Sequence, residues 1–129
     1  MRTVTLCLFF TTALGLSTPA VHAGQGMIGP VVVERVTSIV LGNTDSLNQT
    51  PGNLEINIDG GFTLPQGVTC DQHVITTLRG ADPDRTMFQA LLAAVTTGQR
   101  VLLGITDNPL QNAFEGRCSL LYVSLLKKP

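Results

Sequence analysis

Apolar and polar positions divide the chain into short periodic stretches separated by clusters of Gly, Pro, Asn and Asp. Leu54 to Ile58 alternates strictly, with Leu54, Ile56 and Ile58 on one side and Glu55 and Asn57 on the other, the pattern of a half-buried strand. Pro30 to Leu41 is dense in β-branched residues (Val31, Val32, Val33, Val36, Thr37, Ile39, Val40) and predicts a strand with a bend near Glu34 and Arg35. Val68 to Leu78 predicts a third strand, Val101 to Ile105 a fourth, and Cys118 to Leu126 a fifth. The fifth is apolar on both faces, as expected of a strand covered twice or placed at an oligomer contact. Gly24 to Gly29 is glycine-rich and reads as loose. Gly42 to Asn53 and Asp107 to Gly116 are polar loops, Asp59-Gly60-Gly61 is a turn, and Phe62 to Gly67 fits neither period.

One stretch has helical period. Met87, Phe88, Leu91, Leu92 and Val95 form a single stripe between Asp82 and Thr97. Asp82 is placed to cap this helix, Pro83 suits its first position, and Asp84 favours the positive end of its dipole. Gly98 stops it. The resulting order is β-β-β-α-β-β. A small five-stranded barrel with a helix between strands three and four is the oligonucleotide/oligosaccharide-binding (OB) fold, and a half-open sheet with one helix is the alternative.

The first residues have a different character. Arg2 is followed by an uncharged apolar run, Val4 to Leu16, then by the small and polar stretch Ser17 to Ala23 with Pro19 inside it. Val21-His22-Ala23 has the residue sizes that a signal peptidase reads. Residues 1–23 therefore read as a signal peptide and 24–129 as a single OB-fold-like domain, exported to the periplasm or secreted. The apolar run is shorter than the roughly 20 residues a bilayer anchor needs, and no later stretch predicts a membrane span.

Export changes the meaning of the cysteines. The chain has 3, and Cys7 lies in the leader. Cys70 and Cys118 remain, and in an oxidising compartment they have one possible pairing. Closing that loop contributes roughly 4 kcal/mol on the chain-entropy account. Two cysteines and His73 lack the number and spacing of a zinc site.

Charge and composition narrow the function. A net charge of −1, with no basic run, no Trp and 5% aromatic residues, gives no electrostatic or stacking surface for nucleic acid. No nucleophile elbow, zinc-protease helix or phosphate-cradling glycine loop is present in the sequence. Asp82 and Asp84 are better explained as helix caps than as an acid/base pair. Asp71 and His73 would share a strand face beside Cys70, but a disulfide at Cys70 removes the thiolate such a dyad needs. Asp59-Gly60-Gly61 is too short for a calcium loop. The expectation is a non-enzyme with no catalytic residues, no metal and no cofactor.

Three places carry a family likeness: Gly26-Met27-Ile28-Gly29-Pro30-Val31-Val32, Cys70, and Phe88-Gln89-Ala90-Leu91 running on to Thr96-Thr97-Gly98-Gln99-Arg100-Val101. In these the chain resembles the B subunits of bacterial AB5 toxins, closest in pattern to the subtilase cytotoxin B-subunit group and its small exported relatives. The resemblance implies an OB-fold, a homopentameric ring and recognition of glycans, often sialylated. It places Gly29 where the sugar-binding members carry a serine that touches sialic acid, which makes Gly29 the candidate ligand-contact position and implies weak or absent affinity for sialic acid. Cys118 has no clear counterpart in the toxin subunits. The function expected is therefore an exported binding or assembly module for a glycan or protein partner, with a monomeric periplasmic accessory or inhibitor protein as the alternative.

Overall fold

A computed structural model of the chain describes residues 23–38 and 50–127. The signal-peptide reading of residues 1–22 and most of the polar loop expected over Gly42 to Asn53 lie outside the described residues. Within them the protein is mainly β with one α-helix. Six strands, β1 (Gln25–Val31), β2 (Val33–Ser38), β3 (Leu54–Ile58), β4 (Val74–Thr77), β5 (Val101–Thr106) and β6 (Cys118–Leu125), form one mixed sheet in the order β1-β5-β6-β4-β3-β2. The helix α1 (Thr86–Thr97) lies between β4 and β5 in the chain and packs against β2 and β6. No helix among the described residues is long and apolar enough to cross a membrane.

The sheet differs from the expected five-stranded closed barrel. The strand expected over Pro30 to Leu41 is divided: its first residues end β1, Val32 stands between, and β2 carries on to Ser38. The two halves pair at opposite edges, β1 with β5 and β2 with β3, so the ladder is six-stranded and open. The bend expected near Glu34 and Arg35 is present as a register shift between Val33 and Arg35 against β3. The glycine-rich start is not loose either. Gln25 to Ile28 pair antiparallel with Thr106 to Leu103. Glycine is required there because the segment after β3 crosses close above it: a Cβ on Gly26 would lie 2.5 Å from the Pro65 side chain.

Strand β3 runs as its alternation predicts, with Leu54, Ile56 and Ile58 buried and Glu55 and Asn57 half-buried. These three join Ile28, Val33, Ile75, Val101, Leu103, Ile105 and Leu120 in one core, and Leu91 and Ala94 of α1 close it.

The third expected strand, Val68 to Leu78, is mostly absent. Only Val74–Thr77 is a strand. Upstream, the Asp71 carboxylate accepts the backbone N–H groups of His73 and Val74 at 2.7 and 2.8 Å, and the Asp71 N–H goes to Gly116 at 2.8 Å. A local turn thus takes the donors a longer ladder would have used. The β4 strand pairs antiparallel with β3 and parallel with β6, the latter only through Ile75–Cys118 and Thr76–Ser119. The expected disulfide lies beside this short junction. Cys70 and Cys118 are bonded, with Cα atoms 5.3 Å apart and 48 residues between them in sequence.

The helix starts three residues later than its sequence signals indicate, at Thr86 rather than Pro83. Arg85 adopts φ 60° and ψ 24°, a left-handed conformation that cannot continue a helix upstream. Pro83 and Asp84 belong to the preceding loop. Asp82 still caps, from a distance. It is 2% exposed, and its carboxylate accepts the N–H groups of Met87 and Phe88 at 3.1 and 2.9 Å and the Thr86 hydroxyl at 3.4 Å. An acidic side chain at this end also matches the helix dipole. The buried stripe is narrower than expected: Leu91 and Ala94 are buried, Met87, Phe88 and Val95 pack partly, and Leu92 is 41% exposed. Gly98 ends the helix in the left-handed conformation, its N–H shared between Ala94 and Val95.

Two stability predictions follow from this packing. Leu91→Asp places an unpartnered carboxylate in the core at a cost of several kcal/mol, a large part of the roughly 5–15 kcal/mol that holds a domain; circular dichroism should show no cooperative melt. Asp82→Ala removes the distant cap and should lower stability by about 1–2 kcal/mol, read in calorimetry as a fall in Tm of about 4–8 °C per kcal/mol.

Candidate binding groove

The β1–β5 register shifts between Ile28 and Val31, so Gly29 and Pro30 form an irregularity within β1 that has no direct partner in the ladder. The Gly29–Pro30 peptide is cis. Gly29 is exposed, has φ +115°, and a Cβ there would sit 2.6 Å from the Val101 carbonyl oxygen. The backbone itself therefore disfavours any side chain at this position. Arg100 supports this segment by donating to the Pro30 carbonyl at 3.0 Å.

Facing Gly29 is the chain that leaves β3. The turn over Asp59 and Gly60 is held by Asp59 N–H to Val32 at 3.0 Å and Gly61 N–H to Ile58 at 3.1 Å. Phe62 N–H donates to Gln72 at 2.8 Å, and Ile58 N–H to His73 at 2.9 Å, which ties the Gln72–His73 segment alongside. Gly61 matters for spacing. A Cβ on it would meet the Gln72 carbonyl oxygen at 2.8 Å and the His73 imidazole at 3.0 Å.

Gly61, Phe62 and Thr63 form a ridge shared by two open clefts. One, of about 350 Å³, has Met27 to Val31 as its other wall. The other, of about 310 Å³, is bounded by Gln72 and His73. Together they form a shallow groove that offers the Thr63 hydroxyl, the Gln72 amide, the His73 imidazole and the backbone around Gly29. Every one of these can donate or accept a hydrogen bond.

Asp71 anchors the far wall. The His73 backbone N–H holds its carboxyl below the usual range; partial burial opposes this, and the Val74 N–H and the charges of His73 and Arg117 add to it. Asp71 and His73 lie on a turn rather than sharing a strand face, and Cys70 is in its disulfide, so the dyad weighed from the sequence has no thiolate. Among the described residues no three His, Cys, Asp or Glu side chains group as metal ligands would.

A second surface lies on the outside of the sheet. Met27, Gly104 and Tyr122 are cross-strand neighbours on β1, β5 and β6. A Cβ on Gly104 would come within 2.9 Å of Tyr122 Cβ and 3.4 Å of Met27 Sδ, so the glycine lets these side chains lie over the strand between them. Met27 is 52% and Tyr122 50% exposed. With Leu121, which occupies a bulge in β6, they line a mostly apolar depression of about 360 Å³. The last strand, expected to be covered twice or placed at an oligomer contact, is buried over Cys118 to Leu120 and largely uncovered over its second half, where Leu121, Tyr122 and Leu125 are exposed.

Of the residues singled out from sequence, Gly29 lies in the groove, Cys70 and Cys118 hold the β4–β6 junction, and Asp82 caps α1. Thr63, Gln72 and His73 were not identified as a ligand surface. The signal for them was the unperiodic, polar stretch around Phe62 to Gly67 and Cys70 to His73. Comparisons with protein-family models, with curated proteins and with solved structures find no match to this chain.

The Asp71 geometry makes a pH prediction. A depressed carboxyl contributes stability that is fully present above its unfolded value and is lost as pH falls through the folded one. The Tm difference between the wild type and Asp71→Asn should be present at about pH 6 and shrink as the pH drops below the ordinary value of 3.8. A difference that does not change with pH would remove the carboxylate from the account of this turn.

Proposed function

We propose that the chain is an exported, non-enzymatic binding module of the OB type, with β1 and β2 acting as one bent strand that closes the barrel. Its ligand is a glycan or an extended protein segment, and the binding surface is the groove around Gly29. The observation that carries this reading is the groove itself: open, shallow, and lined by hydrogen-bonding side chains and strand backbone. Hydroxyl-rich sugars and peptide backbones both present the matching donors and acceptors. The likeness to toxin B subunits points the same way. It also supports assembly into a homo-oligomer, pentameric by that likeness, for which Met27, Leu121 and Tyr122 supply exposed apolar surface. Multi-angle light scattering on the mature protein decides the assembly, and a monomer would favour the accessory or inhibitor reading instead.

Binding is tested by screening the mature protein on a glycan array and a peptide library, then titrating the best hit. Gln72→Ala and His73→Ala should each weaken that hit about 3- to 10-fold, the value of one lost hydrogen bond. Sialyllactose should bind no tighter than about 1 mM, roughly −4 kcal/mol. Hits that both substitutions leave unchanged would place the ligand elsewhere.

A further inference from the structure

Gly24, where the mature chain is expected to begin, is held from several sides. Its nitrogen lies 2.7 Å from Asp107 Oδ1. Its carbonyl accepts the Thr106 hydroxyl at 2.8 Å and the Asp107 N–H at 3.1 Å. The other Asp107 oxygen accepts the Thr69 N–H at 2.9 Å. No side chain fits at position 24, because a Cβ would lie 2.0 Å from the Gly67 carbonyl oxygen. Ala23, one residue earlier, is exposed.

We propose that Asp107 is a binding site for the α-ammonium group created when the leader is removed after Ala23. This inference rests on the export reading above. Hydrolysis of the Ala23–Gly24 peptide consumes one water. Ala23 leaves as a carboxylate, and the Gly24 nitrogen takes up the protons to become –NH₃⁺, its normal state near neutral pH. A neutral amide donor facing a carboxylate then becomes a charge-assisted pair, for which 2.7 Å is a fitting distance. The contact is partly buried, so salt screens it less than a surface pair. Asp107 follows β5 directly and also holds Thr69. Processing therefore tightens the start of β1 and the segment crossing it in a single step, and glycine is the residue that lets the new terminus reach the carboxylate.

The test compares chains that begin at Gly24 with chains that begin at Ala23, each with Asp107 or Asp107→Asn, and adds the Nα-acetylated Gly24 chain. Mass spectrometry of exported protein first fixes the natural start. The Gly24 chain should melt about 4–8 °C above the Ala23 chain, and acetylation should erase that gain. In the Asp107→Asn background the gap between the two starts should vanish, although both lose the Thr69 contact. If Asp107→Asn fails to fold, the acetylated chain decides alone. Equal melting of the Gly24, Ala23 and acetylated chains overturns the clamp and leaves export standing. A natural start other than Gly24 overturns the processing step, whatever the melting series shows.

Discussion

A single stretch of chain, residues 25–38, supplies both edges of the sheet, and one residue, Val32, separates the part that pairs with β5 from the part that pairs with β3. Everything else in the fold is arranged between those two edges. The two edge strands are joined in sequence through that one residue. The inner side chains of all six strands then face one another in a common core. The helix covers the part of that core between β2 and β6. Regular pairing cannot continue through the corner, so Gly29 and Pro30 leave the ladder and Glu34 is bulged out of it. The groove is a product of this geometry. Backbone that leaves the ladder at the corner is the backbone left facing the Gly61–Thr63 ridge.

The weakest seam is the parallel contact of β4 with β6, which has two residue pairs. Parallel strands cannot be joined by a tight turn, and here the chain travels through α1 and β5 before returning. Closing so long a path carries an entropic cost in the unfolded chain that the Cys70–Cys118 bond removes in advance, by roughly 4 kcal/mol on the chain-entropy account. The bond is placed where that contribution matters, at the first residue of β6 and just before the Asp71 turn. Asp71 then secures the segment electrostatically and positions His73, so the covalent link and the far wall of the groove share one short piece of chain.

What the sequence made legible was the part decided by near neighbours. The alternation of Leu54 to Ile58, the stop at Gly98 and the pairing of Cys70 with Cys118 each depend on a few residues and one rule. What it concealed depends on distant ones. Gly24 to Gly29 resembles a loop because glycine disfavours strands, yet it pairs with β5, and its glycines leave room for Pro65 and Gly67 from another part of the chain. Val68 to Leu78 alternates like a strand, but Asp71 offers its backbone a local partner. Asp82 was read as a cap and is one, although the left-handed Arg85 moves the helix start beyond it. The groove was half visible. Gly29 was marked by resemblance, while Gln72 and His73 are brought to it by hydrogen bonds to Phe62 and Ile58 that no local pattern announces.

Strand β5 also fastens both ends of the described domain. Asp107, just past its last residue, holds Gly24; Arg100, just before its first, accepts the Leu126 N–H, and Gln99 donates to the Leu126 carbonyl. At about 3.3 Å per residue, six strand residues set the two attachment points roughly 20 Å apart, at the two ends of β5. A circular permutant would need a connector of about six extended residues to bridge them, and anything shorter would pull one fastening open. Tandem copies joined head to tail would leave each unit on the side away from where they entered it, so such an array would grow as a string of beads and not fold back on itself.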